Sequence, residues 1–212
     1  TPLHSSAASD VYKRQLEPSR LFLNHGSFGA CPNFVIEEQR KWQDLMEREP
    51  VRFFEELMPD LLLKSREALG TFLNCSPEDL AFVSNATSGV NTILRSLHFE
   101  QGDEILVPNH AYQACRNSID FVAKRWGANV VEVAIPFPID GPETVVELMK
   151  SACSERTKLV MIDTVTSPTG LRMPFEELTA FFEGKGVEVL LDAAHGIGMI
   201  PLNLGELGAS YV

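Results

Sequence analysis

The apolar run Val187–Leu191 ends on Asp192-Ala193-Ala194-His195-Gly196. A carboxylate at the end of a buried strand is costly to desolvate unless a positive charge meets it. A protonated ring nitrogen of a ligand would be such a partner. At ~4 Å and an effective dielectric of about 20, the pair is worth on the order of 4 kcal/mol before desolvation. Small Ala193 and Ala194 leave room beside the acid, and His195 follows directly. A metal centre is the rival reading, but one Asp and one His supply too few ligands. An Asp that caps a helix is the plainer alternative.

Three other polar segments follow apolar runs in the same way. Ser84-Asn85-Ala86-Thr87-Ser88-Gly89-Val90 opens a helix. Its free N–H groups, the helix dipole and its hydroxyls suit a phosphate, although an ordinary helix cap would look the same. Gly89 lets a backbone approach a ligand closely. Pro108-Asn109-His110-Ala111-Tyr112 offers a ring at Tyr112 that could lie flat on a planar ligand or pack the start of its own helix. His110 is expected to cap or to sit at the surface. Asp163-Thr164-Val165-Thr166-Ser167-Pro168-Thr169-Gly170 is rich in hydroxyls that could orient a ligand oxygen, with a plain Pro/Gly turn as the competitor.

These segments need a scaffold that brings strand ends together. Pro32 can open a helix in which Val35, Ile36, Trp42, Leu45 and Met46 recur at helical spacing. A second helix is expected over Val51–Phe72, kinked or split by Pro59. Beyond it, short Val/Ile/Leu runs at Leu80–Val83, Glu104–Val107, Val130–Ile135, Leu159–Ile162 and Val187–Leu191 alternate with amphipathic helices at Ser88–Leu97, Tyr112–Trp126, Pro142–Lys150 and Phe175–Phe182. A further strand begins at Tyr211. The pattern implies an α/β fold of three layers, α/β/α, around a mainly parallel sheet. Ligands of such sheets bind at the carboxyl ends of the strands, where all four polar segments fall.

Composition narrows the field. The 212 residues carry 29 acids against 18 Lys and Arg, a formal net charge of −11, which argues against a nucleic-acid partner. No stretch approaches the ~18 apolar residues of a membrane span. Neither G-x-G-x-x-G nor G-x-x-x-x-G-K-[ST] occurs, so dinucleotide and P-loop readings lose their support, and with them a nucleotide-dependent transferase. Cys31, Cys75, Cys115 and Cys153 lie far apart without C-x-x-C, which fits a reducing cytoplasm and no metal. All four read as buried or inert.

Taken together, LNHGSFG at Leu23–Gly29, NATSGVN at Asn85–Asn91, HAYQA at His110–Ala114, TSPTG at Thr166–Gly170 and the closing LDAAHGIGMIPLNLGELGASYV resemble the class V aminotransferase family, fold type I pyridoxal-phosphate enzymes. The first and last look most like the branch that contains isopenicillin N epimerase and the cysteine lyases or desulfurases. The resemblance covers about Leu21 to Val212. It implies pyridoxal 5'-phosphate as cofactor, with Ala86, Thr87 and Ser88 on its phosphate. It implies Tyr112 stacked on the pyridine, Asp192 on the ring nitrogen and His195 on the ring hydroxyl. Ser167 stands where relatives often carry Asn, and Asn24, His25 and Gly26 would line the substrate entrance. Asp192, His195 and Tyr112 are thus the expected catalytic set.

The resemblance also places a Schiff-base lysine in a segment beyond Val212. Lys150, Lys158 and Lys185 lie on helices or at strand starts, and none matches that position. The chain therefore reads as a fragment in three parts: 1–15 a non-native, disordered leader, 16–75 an N-terminal helical segment, and 76–212 part of the cofactor-binding large domain, with the C-terminal small domain absent. The implied function is a pyridoxal-phosphate enzyme acting at the α or β carbon of an amino acid, of epimerase, C–S lyase/desulfurase or aminotransferase type. Such enzymes are homodimers when intact, and the fragment itself would be inactive. The alternative is a non-catalytic α/β module that binds an anion or a cofactor.

Overall fold

The apolar runs of the chain's second half pair edge to edge, the central ones because they are too uniformly hydrophobic to face water on either side. In the computed structural model, which describes residues 16–17 and 19–212, they form a four-stranded parallel sheet. Its strands are β1 (Glu104–Pro108), β2 (Asn129–Val133), β3 (Thr157–Asp163) and β4 (Glu188–Asp192), in the order β2-β1-β3-β4. The leader assigned to residues 1–15 lies outside the described residues.

Alternation along the strands divides the core into two layers. Leu106, Val160, Ile162, Val189 and Leu191 pack with Val145, Met149, Phe175, Leu178 and Phe182 of two helices, Pro142–Ser151 and Phe175–Glu183. Ile105, Val107, Leu159, Met161 and Leu190 pack on the other face with Val90, Leu94, Cys115, Ile119 and Val122 of Ala86–Ser96 and Gln113–Trp126. These are the expected three layers.

Successive helices are labelled α1 (His25–Phe28), α2 (Asn33–Arg48), α3 (Pro50–Arg52), α4 (Met58–Leu73), α5 (Ala86–Ser96), α6 (Gln113–Trp126), α7 (Pro142–Ser151), α8 (Phe175–Glu183) and α9 (Leu204–Leu207). The α6 helix ends on Gly127 at φ +73, a left-handed cap that glycine adopts without strain.

The described residues fall into two compact units, one up to Ala68 and one from Leu69. The first is helical, and none of its described residues is fully buried. The expected break at Pro59 takes the form of a π-helical turn just before it, Phe53–Leu57, closed by the Met58 N–H on the Phe53 carbonyl. Proline lacks the N–H that a regular turn would need, and a widened turn is one way to absorb that.

Two sequence expectations are corrected. Leu80–Val83 is not a strand: it has no ladder partner, and Phe82 and Val83 are 59% and 52% exposed. An apolar run becomes a strand only where another edge accepts its hydrogen bonds. The cysteines also differ from the expectation, since Cys115 alone is fully buried and Cys31 is exposed. Where a strand is expected to begin, Tyr211 makes an isolated parallel bridge to Leu190. The Tyr211 N–H donates to the Val189 carbonyl at 3.0 Å, and the Leu191 N–H donates to the Tyr211 carbonyl at 2.9 Å.

Among the described residues, no helix is long and apolar enough to cross a membrane.

Candidate active site

After β1 the chain runs through α6 to the outer strand β2, whereas after β3 it runs through α8 the other way to β4. The carboxyl ends of β1 and β3 therefore flank a topological switch point, the crevice in which open α/β sheets bind ligands. Asp163 ends β3 and Asp192 ends β4, and the two are register partners. Both follow the parity of Met161 and Leu190, so they share the face covered by α5 and α6.

Asp192 is 6% exposed. Its Oδ1 accepts the Ala194 N–H at 3.1 Å, and its Oδ2 accepts the Cys115 thiol at 3.4 Å. A thiol is a weak donor, so the carboxylate is lightly satisfied for its depth. The turn that follows is pinned tightly. A Cβ on Gly196 would lie 2.4 Å from the Thr164 hydroxyl, so only glycine lets Asp192–Gly196 close against the neighbouring loop. His195 is half-buried, and Tyr112 presents a ring that is 42% exposed.

Asp163 is 3% exposed, and its Oδ2 has no hydrogen-bond partner. Burial first and the charge of Asp192 second push its carboxyl up to about 7, against a downward pull from the Tyr112 backbone N–H. Burial, with Asp192 and then Asp163 beside it, likewise pushes the Cys115 thiol up to about 12. The Thr87 side chain pulls the thiol in the opposite direction.

The amino end of α5 has the form expected of an anion site. Asn85 caps it, its Oδ1 accepting the Ser88 N–H at 2.8 Å. The Ala86 and Thr87 N–H groups belong to the first turn and have no helical acceptor. Ser84 donates to the Ser88 hydroxyl at 2.9 Å, which leaves the Ser88 proton available. A Cβ at Gly89 would make only an ordinary contact with Val83 at 3.6 Å, so nothing within the chain demands glycine there.

The hydroxyl-rich loop is largely consumed by its own turn. Thr164 Oγ1 donates to the Asp192 carbonyl at 3.3 Å, and Thr166 Oγ1 pairs with Thr169 Oγ1 at 2.7 Å. Ser167 is half-buried beside them. His110 is not at the surface, contrary to expectation. It is 6% exposed and bridges the Ile135 carbonyl through Nε2 at 3.0 Å and Thr169 through Nδ1 at 2.9 Å. The carbonyl can only accept, so Nε2 carries the proton and Thr169 donates to Nδ1. His110 thus ties the loop after β3 to the segment after β2.

Sequence reasoning missed Asp163 and Cys115. The first carried a legible signal, since Leu159–Ile162 ends on an acid as Val187–Leu191 does. The three lysines weighed earlier stand at the opposite, amino edge of the sheet. Lys158 is exposed near the start of β3, while Lys150 and Lys185 lie near the carboxyl ends of α7 and α8. Lys150 pairs with Glu177 at 2.7 Å. Asn24, His25 and Gly26 belong to the first unit, where Asn24 caps α1 and accepts the Ser27 N–H at 3.4 Å. A cavity of about 570 Å³ lined by Phe175, Ile200, Leu202 and Leu207 touches none of these site residues.

The three-layer fold and the acid-ended strands define an α/β scaffold, and residues 35–212 match the family model of class-V aminotransferases. The chain belongs to that family, which uses pyridoxal phosphate. It is 32% identical over 211 residues to a probable chloroplastic L-cysteine desulfhydrase of Arabidopsis thaliana, covering 92% of this chain and 44% of that protein. It is 33% identical over 199 residues to isopenicillin N epimerase of Amycolatopsis lactamdurans, covering 92% and 50%. Among solved structures it is similar to a cysteine desulfurase from Escherichia coli, with a TM-score of 0.80 at 18% identity, covering 96% of this chain and 53% of that one. The cystine C–S lyase C-DES, solved with its product cysteine persulfide, gives a TM-score of 0.79 at 20% identity, covering 97% and 54%. The chain spans about half the length of the curated relatives it matches.

Proposed function

We propose that this chain forms the cofactor-binding part of a pyridoxal-phosphate enzyme acting at the α or β carbon of an amino acid, as an epimerase, a C–S lyase or desulfurase, or an aminotransferase. The observation that carries the reading is Asp192. It is a buried carboxylate at the carboxyl edge of the sheet that no Lys, Arg or His among the described residues neutralises. A protonated pyridine nitrogen supplies the missing charge.

The residues present fit the cofactor. The first-turn N–H groups of Ala86 and Thr87 and the free hydroxyl proton of Ser88 suit its phosphate, helped by the α5 dipole. Tyr112 offers an exposed ring for stacking, and His195 and Ser167 are polar groups for the ring oxygen. Bound pyridoxal phosphate draws electrons from the substrate's α carbon, and the protein tunes that pull through the ring nitrogen. Asp192 favours the protonated ring because an opposite charge stabilises the charged form of its neighbour. His110 holds the loop that bears Ser167. The substrate-side role of Asn24, His25 and Gly26 rests on the family resemblance alone.

The relatives named for cysteine desulfhydrase activity favour a sulfur-bearing amino acid as substrate. The reading takes the intact protein as a homodimer in the cytoplasm, and four thiols without a disulfide fit a reducing compartment.

The test is a titration of the full-length protein with pyridoxal phosphate, followed by absorbance, and an assay for sulfide release from L-cysteine. Asp192→Ala is expected to keep the fold, judged by circular dichroism, while losing cofactor affinity and turnover. Wild-type binding and turnover in Asp192→Ala would remove Asp192 from the ring nitrogen.

A further inference from the structure

We propose that Asp163 is held as a neutral carboxylic acid beside Asp192, so that the paired ends of β3 and β4 present one negative charge to one ligand cation. The inference rests on reading Asp192 as the anion that meets a ring cation. It adds a positioning residue whose task is to set the charge of that site.

The geometry begins with the strand register. Asp163 and Asp192 are direct partners on adjacent parallel strands, with side chains on the same face. Neighbouring strands lie about 4.8 Å apart, so the two carboxyl groups share one small volume. Both are more than nine-tenths buried. The groups that face them are few. From α6 comes the Cys115 thiol, from Tyr112, which caps it, a backbone N–H, from α5 the Thr87 side chain acting on that thiol, from the turn after β4 the Ala194 N–H, and from β3 the backbone N–H of Asp163 itself. No Lys, Arg or His among the described residues forms an ion pair with either acid. Two like charges this close, with no cation between them, disfavour each other's ionisation.

The donors decide which acid keeps the proton. Asp192 receives a hydrogen bond on each oxygen, whereas Asp163 is met by the backbone N–H of Tyr112 and its own, while its Oδ2 receives none. An unpartnered buried oxygen is far less unfavourable on a neutral acid than on an anion. The proton therefore resides on Asp163, and Asp192 is left as the single anion. A ligand with one positive charge at that position is matched, and a dianionic pair is avoided in its absence.

The experiment reads the carboxyl groups directly. Full-length protein without added cofactor is followed by infrared spectroscopy and by carbon-13 NMR of labelled aspartates across a pH series. One buried, protonated aspartate is expected at mildly acid pH, fading as the solution becomes alkaline, and absent from Asp163→Asn throughout. No protonated signal, or one that survives Asp163→Asn, would overturn the proposal. A second arm titrates each protein with pyridoxal phosphate. Asp163→Ala opens a hole beside Asp192 and is expected to weaken binding by about tenfold, while Asp163→Asn, neutral and equal in size, recovers it to within about threefold. An Asn variant as weak as the Ala variant would mean that a charge at this position is needed, which also overturns it. If Asp163→Ala fails to fold, the wild-type spectrum still decides. Wild-type protein that binds no pyridoxal phosphate would defeat the functional reading alone, because the carboxyl titration is measured without it.

Discussion

The amino end of α5 and the ends of β3 and β4 both hold polar groups at the sheet's carboxyl edge, but they do so in opposite ways. The α5 end is open: Asn85 is exposed, and donors stand ready for an anion that solvent can replace. The strand ends are enclosed: Asp163 and Asp192 lie on the face covered by α5 and α6 and are 3% and 6% exposed. Charge at the first site is negotiated with solvent, and charge at the second is settled by proton position. The open site should therefore answer to the loss of single hydrogen bonds, and the closed one to pH.

The largest effect expected from this contrast is on stability against pH. The carboxyl of Asp163 is raised to about 7 from an ordinary 3.8, so between those values the folded chain holds a proton that the unfolded chain has released. Stability from this group is complete below the unfolded value and is lost as pH rises through the folded one. The slope approaches about 1.4 kcal/mol per pH unit, with a total on the order of 4 kcal/mol. Urea denaturation of cofactor-free protein over that window should show the decline in wild type and its loss in Asp163→Asn. Parallel slopes in the two proteins would mean that Asp163 is ionised in the fold, and the contrast would break.

The open site supplies the next effect. Ser88→Ala removes a hydroxyl whose proton is free to meet a phosphate oxygen. Hydrogen bonds to charged groups contribute about 1.5–3 kcal/mol, so the dissociation constant for pyridoxal phosphate should rise roughly 10- to 150-fold with little change in thermal midpoint. An unchanged constant would place the phosphate elsewhere.

What the sequence disclosed follows the same divide. The four strands and the helices on both faces were legible because each Val/Ile/Leu run is bracketed by polar turns. The open site was legible because a cap and its hydroxyls are local in sequence. Asp192 was legible as an acid that ends an apolar run, but its company was not. Asp163 becomes its neighbour only through the register of β3 with β4, and Cys115 reaches it from α6. His110 was misread for the same reason, since its partner Thr169 lies 59 residues away. Leu80–Val83 was misread because strand formation depends on an edge that no local pattern reveals.

The smallest effect belongs to the residue that joins the two regions. Thr87 sits in the first turn of α5, yet its side chain acts on the Cys115 thiol, which in turn donates to Asp192. Its backbone N–H, which faces the open site, survives any side-chain change. Thr87→Val preserves shape and removes only the hydroxyl. A neutral hydrogen bond contributes about 0.5–1.5 kcal/mol, and sulfur is a weak acceptor, so the low end applies. Affinity for pyridoxal phosphate should fall by about two- to threefold, well short of Ser88→Ala. The Cys115 thiol, buried and pushed up to about 12, should stay unreactive toward iodoacetamide in the folded variant as in wild type, while exposed Cys31 reacts in both. A loss as large as that of Ser88→Ala would show that the Thr87 hydroxyl turns to the phosphate on binding, and the boundary between the open and closed sites would have to be drawn one residue deeper into α5.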